Sequence, residues 1–227
     1  EINTYRDESK AAFLPRFFKT GKGEYGEGDQ FIGVVVPNLR IVAKKHFDAD
    51  FDTLRELLAS PYHEYRLTAL LALTYRYAKL KDHTSRETCV NFYVSQVDAI
   101  NNWDLVDLSC YKILGHWLFD KDKQLLYDWA KENHLWKQRI AMISCMHFVK
   151  QGEFKDALAI ADLLQHHPHD LIHKAVGWIL REIGKEDEQL LVDYLTPRYK
   201  EMPRTMLRYA IERFEEGKRK AFLNSTI

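Results

Sequence analysis

The sequence predicts an all-α fold, an α-solenoid of HEAT/armadillo-like helical repeats, and three observations carry that expectation. Apolar residues recur at three- and four-residue spacing along most of the chain, the period of a helix with one buried face. Only six Pro and ten Gly punctuate 227 residues, and several of the Gly fall together near the N-terminus. Helical segments also arrive in pairs, and the second members repeat at about 35 residues, with Arg139-Ile-Ala141, Lys174-Ala175 and Arg208-Tyr-Ala210 in register. A helix pair of that length buries its apolar face only by stacking on its neighbours.

Taken in order, residues 5–20 give a helical segment interrupted at Pro15, and residues 21–33 a glycine-rich connection. Pro37 suits the first turn of the next helix, where its missing N–H costs nothing. A short helix then ends before Pro61, and residues 61–80 read as a long buried helix with a charged edge. From residue 85 onward a short charged helix precedes a longer one four times, at 85–97 with 101–119, 122–133 with 135–152, 153–167 with 169–185, and 187–201 with 204–220. No linker with a shift in composition divides the chain. One domain over 1–227 is expected, with 1–36 a divergent N-terminal helical segment and Gly-rich loop.

Hydrophobic residues make up 46% and charged residues 29%, which excludes a disordered or fibrous chain. Lys and Arg total 33 against 33 Asp and Glu, so overall charge argues mildly against a nucleic-acid partner without excluding a basic face. Cys89, Cys110 and Cys145 are odd in number and widely spaced, which suggests neither a disulfide framework nor a zinc cradle. With no apolar run of membrane-spanning length and no signal-peptide pattern, a cytoplasmic protein with no membrane partner is expected.

The stretch Asn102-Trp-Asp-Leu-Val-Asp107 starts a helix. Asn102 is a good N-cap, and Asp104 in the first turn is accounted for by unpaired amides and the helix dipole. Asp107 lies four residues after Trp103, so the two share a face beside the apolar stripe of Leu105, Leu108, Ile113 and Leu114. That face serves either ordinary burial of a tryptophan or chemistry. Trp136 with Arg139, and Trp178 with Arg181 and Lys174, repeat the style on later helices. Each pair is either a cation–π contact on a solvated edge, worth about 0.5–1 kcal/mol, or part of a groove common to the second helices.

These segments resemble a known family. Asn102–Asp107, Leu135-Trp-Lys-Gln-Arg-Ile-Ala141 and Lys174-Ala-Val-Gly-Trp-Ile-Leu-Arg-Glu182 are similar to the signature blocks of the DNA alkylation repair enzyme family, the HEAT-like alkylpurine DNA glycosylases. Phe31 to Arg40 resembles that family's Phe-x-Gly-Val/Ile-x-x-Pro-x-x-Arg segment. The resemblance runs from about residue 30 to the end. It implies a concave DNA-binding face and excision of cationic N3- and N7-alkylated purines from double-stranded DNA, without flipping the base into a pocket. It also implies a monomer that needs no metal or organic cofactor. Lesion-facing roles fall on Trp103, Asp107, Trp178 and Arg139, with the tryptophans against the deoxyribose. The family's early aromatic contact has no counterpart in register, since Tyr25 is displaced from it.

The residue types suit that chemistry. Loss of a cationic purine leaves positive charge on the sugar, and a carboxylate such as Asp107 at ~4 Å stabilises it by about 4 kcal/mol at an effective dielectric near 20. Arg139 would hold a phosphate near the lesion, and Arg181, Lys174 and Arg208 are further candidate phosphate contacts or solvated helix faces. His166, His167, His169 and His173 include an i, i+4 pair that lacks a further zinc ligand. The glycine-rich segment is not a P-loop and is expected to be a flexible connection. Trp117 and Trp129 are expected to pack. The rival readings are a non-catalytic relative that binds distorted or branched DNA, and a protein-interaction scaffold.

Overall fold

The computed structural model describes residues 1–227, and every long element is a helix. The chain divides into two compact units, Glu1–Trp117 and Leu118–Ile227.

In the first unit α1 (Glu8–Phe17) starts at Asp7, whose carboxylate accepts from the Lys10 N–H. Contrary to the expected interruption, the helix runs through Pro15 and ends two residues later. The glycine-rich segment that follows is a tied series of turns rather than a loose connection. Gly21 and Gly23 donate to the carboxylates of Glu24 and Glu27, and the Gly26 N–H donates to the Lys19 carbonyl. Helices α2 (Val36–Lys45), α3 (Phe51–Leu58), α4 (His63–Lys79) and α5 (His83–Ser95) follow the amphipathic spacing. Helix α4 is buried along most of its length because α2, α3 and α5 all pack on it.

The segment expected to form one helix within 101–119 is broken. Helix α6 covers only Trp103–Asp107, a turn follows at Leu108–Ser109, and Tyr111–Gly115 forms a π-helical turn before the short α7 (His116–Leu118). Ser109 accounts for the break locally. Its hydroxyl bonds back to the Leu105 carbonyl at 2.5 Å and meets the Tyr93 hydroxyl at 3.1 Å, competing with the regular ladder.

In the second unit the pairing predicted from the repeats is present: α8 (Gln124–Lys131) with α9 (Leu135–Lys150), α10 (Lys155–Leu164) with α11 (Asp170–Glu186), and α12 (Glu188–Leu195) with α13 (Arg204–Ala210). The second helices α9, α11 and α13 pack on one another in sequence, while α8 and α10 lie against each other and against α9. Gly177 lets α11 and α13 approach, for a Cβ there would lie 2.5 Å from the Met206 carbonyl oxygen. Residues 204–220 are not one helix. Helix α13 ends at Ala210, and Glu215 caps a separate α14 (Glu216–Asn224) by accepting from the Gly217 and Lys218 amides.

Candidate active site

The first unit presents Trp103 and Asp107 on α6. Asn102 caps the helix as its sequence predicts, with Oδ1 accepting from the Trp103 N–H at 2.8 Å. Trp103 is half-buried, and its ring is stacked on Phe18 with centroids 5.5 Å apart and met edge-on by Phe17 at 5.9 Å. Phe18 in turn stacks on Phe31 and lies against the His63 imidazole. Asp107, also half-buried, is the last residue of α6, immediately before the turn and the π-helical segment. Its negative charge reaches the buried Tyr93 phenol. Burial is the largest reason that this phenol is held well above the ordinary tyrosine range, and Cys110 and Asp107 push the same way.

Asp104 does more than start a helix. It is 5% exposed, and its Oδ2 lies 2.8 Å from His63 Nε2. His63 Nδ1 lies 3.3 Å from Asp29 Oδ2, and Asp29 Oδ1 is paired with Arg66 Nη2 at 2.5 Å. Burial alone would lower the His63 pKa. The Asp104 charge and hydrogen bond, with Asp29 behind them, outweigh it and raise the pKa to about 9. Burial likewise opposes ionisation of Asp29, but its bonds to His63 and Arg66 win and hold its pKa below the usual value.

The Phe31–Val34 segment is fixed by Glu64, whose buried carboxylate accepts from the amides of Ile32, Gly33 and Val34 at 2.8–3.3 Å. Gly33 has φ of +82°, and a Cβ there would lie 1.9 Å from the Asp7 carbonyl oxygen, so only glycine fits.

The second unit holds the other predicted residues. Arg139 is buried at 4% exposure, and its Nη1 donates to the Leu171 carbonyl at 2.5 Å, tying α9 to the start of α11. Trp136 is buried as well. Trp178 is half-buried on α11. Lys174 pairs with Asp170 at 2.8 Å, and Arg181 pairs with Glu182 and Glu212. Arg208 is exposed on α13. Two of the candidate phosphate contacts thus already carry carboxylate partners.

Trp129 is packed as expected, and Trp117 lies against His83. His167 meets Gln138, and His173 meets the His167 carbonyl oxygen. No group of three or more His, Cys, Asp or Glu is placed to hold a metal ion, and no helix is long and apolar enough to cross a membrane.

Sequence reasoning missed Phe18, Asp29, His63 and Arg66. For two of them a signal was present, because His63, Glu64 and Arg66 stand at the start of an otherwise apolar, buried helix. Such a placement demands partners. Nothing local marks Asp29 or Phe18.

Stacked helix pairs with tryptophans and charge on the second helices define an all-α repeat protein. Residues 1–214 match the family described as DNA alkylation repair enzyme, and the chain belongs to that family. A predicted DNA alkylation repair enzyme from Enterococcus faecalis has a similar fold, with a TM-score of 0.71 at 14% identity over 93% of this chain and 97% of that one. The crystal structure of AlkD2 from Streptococcus mutans is similar with a TM-score of 0.56 at 16% identity, over 92% of this chain and 99% of that one. A search of the curated proteins finds no match.

Proposed function

We propose that the chain is a monofunctional DNA glycosylase that hydrolyses the N-glycosidic bond of cationic N3- and N7-alkylated purines in duplex DNA, acting as a cytoplasmic monomer. The observation that carries the reading is the pairing on α6 of a half-exposed aromatic ring, Trp103, with a half-exposed carboxylate one turn later, Asp107.

A cationic purine leaves readily because the electrons of the C1′–N bond neutralise it. The sugar becomes oxocarbenium-like. Asp107 stabilises that developing charge by about 4 kcal/mol, roughly a thousandfold in rate. It also orients a water, whose oxygen forms the new C1′–O bond while its proton passes to the carboxylate. The products are the neutral base and an abasic site. Trp103 offers an electron-rich face to the same charge, a contact worth about 0.5–2 kcal/mol. In the second unit the family resemblance assigns a deoxyribose contact to Trp178 and a phosphate contact to Arg139, which requires the buried Arg139 guanidinium to exchange the Leu171 carbonyl for phosphate. Arg181, Lys174 and Arg208 are proposed as further phosphate contacts, the first two by exchanging carboxylate partners for phosphate. No base is taken into a pocket and no cofactor enters a step.

The deciding experiment is release of free 7-methylguanine or 3-methyladenine from methylated duplex DNA, with Asp107→Asn as the control. Normal release by that variant would sink the mechanism. Salt-dependent binding without release by the unaltered chain would select a non-catalytic protein that binds distorted or branched DNA.

A further inference from the structure

Four ionisable side chains, one on α6 and three packed behind it, are buried together, and the chemistry proposed above uses none of them. Arg66, Asp29, His63 and Asp104 form an unbroken series of contacts at 2.5, 3.3 and 2.8 Å. With His63 as imidazolium the set is neutral, two cations against two carboxylates. With His63 neutral, one buried carboxylate loses its counter-charge, a costly arrangement. Asp104 sharpens this point, because its Oδ1 is buried without a hydrogen bond and His63 is its ion-pair partner.

The same series grips both neighbours of Trp103. Asp104 follows that residue in the chain and is held by His63. Asn102 precedes it, and its Nδ2 donates to Asp29 Oδ2 at 3.4 Å. The ring is held as well, since Phe18 lies over His63 at 4.7 Å and over Trp103 at 5.5 Å.

We propose that His63 is a positioning residue. As an imidazolium bridging Asp29 and Asp104 it holds the turn from Asn102 to Asp107, and with it the Trp103 ring and the Asp107 carboxylate. The groups that meet His63 are Asp104 from α6, Asp29 and the Phe31 ring from the loop before α2, and Phe18 after α1, while Glu64 and Arg66 are the nearest charged residues on its own helix. Glu64 spends its charge on the Ile32–Val34 amides, so Asp29 and Asp104 set the protonation of His63. The imidazolium survives to a pH of about 9. The catalytic consequence rests on the glycosylase reading, whereas the positioning itself does not.

The test uses the full chain labelled with 5-fluorotryptophan, whose five tryptophans give separable fluorine resonances, with Trp103 assigned by Trp103→Phe. Between pH 7 and 10 the Trp103 line of the unaltered protein is expected to shift with a midpoint near 9 while Trp178 stays fixed. In His63→Gln it is expected to be displaced already at pH 7. Base release by that variant should fall about ten- to a hundredfold in kcat, the scale on which small misplacements act, with KM moved less than about threefold.

A Trp103 line indifferent to pH through 9 overturns the proposal, and so does one unmoved by His63→Gln. If that variant fails to fold, the titration of the unaltered protein decides alone. Absence of base release from the unaltered protein would remove the glycosylase reading and leave the fluorine result to judge positioning.

Discussion

His63 Nε2 lies 2.8 Å from Asp104 Oδ2, so one hydrogen bond fastens the first residue of α4 to the second residue of α6 across 41 positions of sequence. A pH dependence of stability follows. The folded pKa of His63, about 9, stands above its ordinary value of 6.5. Its contribution is therefore fully present below about pH 6.5 and is lost as pH rises through 9. The integrated effect is on the order of 3 kcal/mol. Asp29, lowered in the folded state, works in the opposite direction, its contribution being lost as pH falls below the usual carboxylate range. Urea unfolding across pH 4–10 should show stability declining on the alkaline side, and His63→Gln should flatten that limb.

Asp107→Asn keeps the size of the side chain and removes its charge. Release of methylated purine is expected to slow by about a thousandfold, the rate equivalent of some 4 kcal/mol. Affinity for duplex DNA should change little, which single-turnover kinetics set beside a binding titration will resolve.

Gly33→Ala places a methyl group against the Asp7 carbonyl oxygen at a backbone conformation that alanine avoids. Strain and overpacking together should cost about 2–4 kcal/mol. Thermal unfolding measures it, and an unchanged melting temperature would contradict the packing of the Ile32–Val34 segment.

Arg181 is paired with Glu212, which holds back its charge from an external anion. Glu212→Gln is expected to tighten binding to duplex DNA a few-fold at low salt and to steepen the salt dependence by up to about one unit of slope. A salt titration of binding checks this. If slope and affinity both stay put, Arg181 is not a phosphate contact.

The sequence made some of this legible and hid the rest for physical reasons. The pairs α8 with α9, α10 with α11 and α12 with α13 were readable because amphipathic spacing is local. The layer of α9, α11 and α13 followed from their register. Asn102 was readable as a cap for the same reason. Asp104 was not, because a helix start accounts for it locally while its partner His63 stands 41 residues away. Arg139 shows the same limit. Its spacing from Trp136 was plain, but burial beneath the Leu171 carbonyl depends on where α11 lies. The break after Asp107 escaped because Ser109 looks like any small residue on a helix until Tyr93 is placed beside it.

That break has a consequence for how the protein tolerates change. A π-helical turn spends an extra residue per turn, so the buried face carrying Ile113 and Leu114 keeps its own phase, independent of α6. Removing one residue between Ser109 and Gly115, together with Ser109→Ala to free the Leu105 carbonyl, would favour a continuous α-helix and couple the two phases. Trp103 and Asp107 would then be swung about the axis by roughly the 100° that one residue represents. The irregular turn acts as a differential, letting the core and the working face of one segment each settle at its own angle.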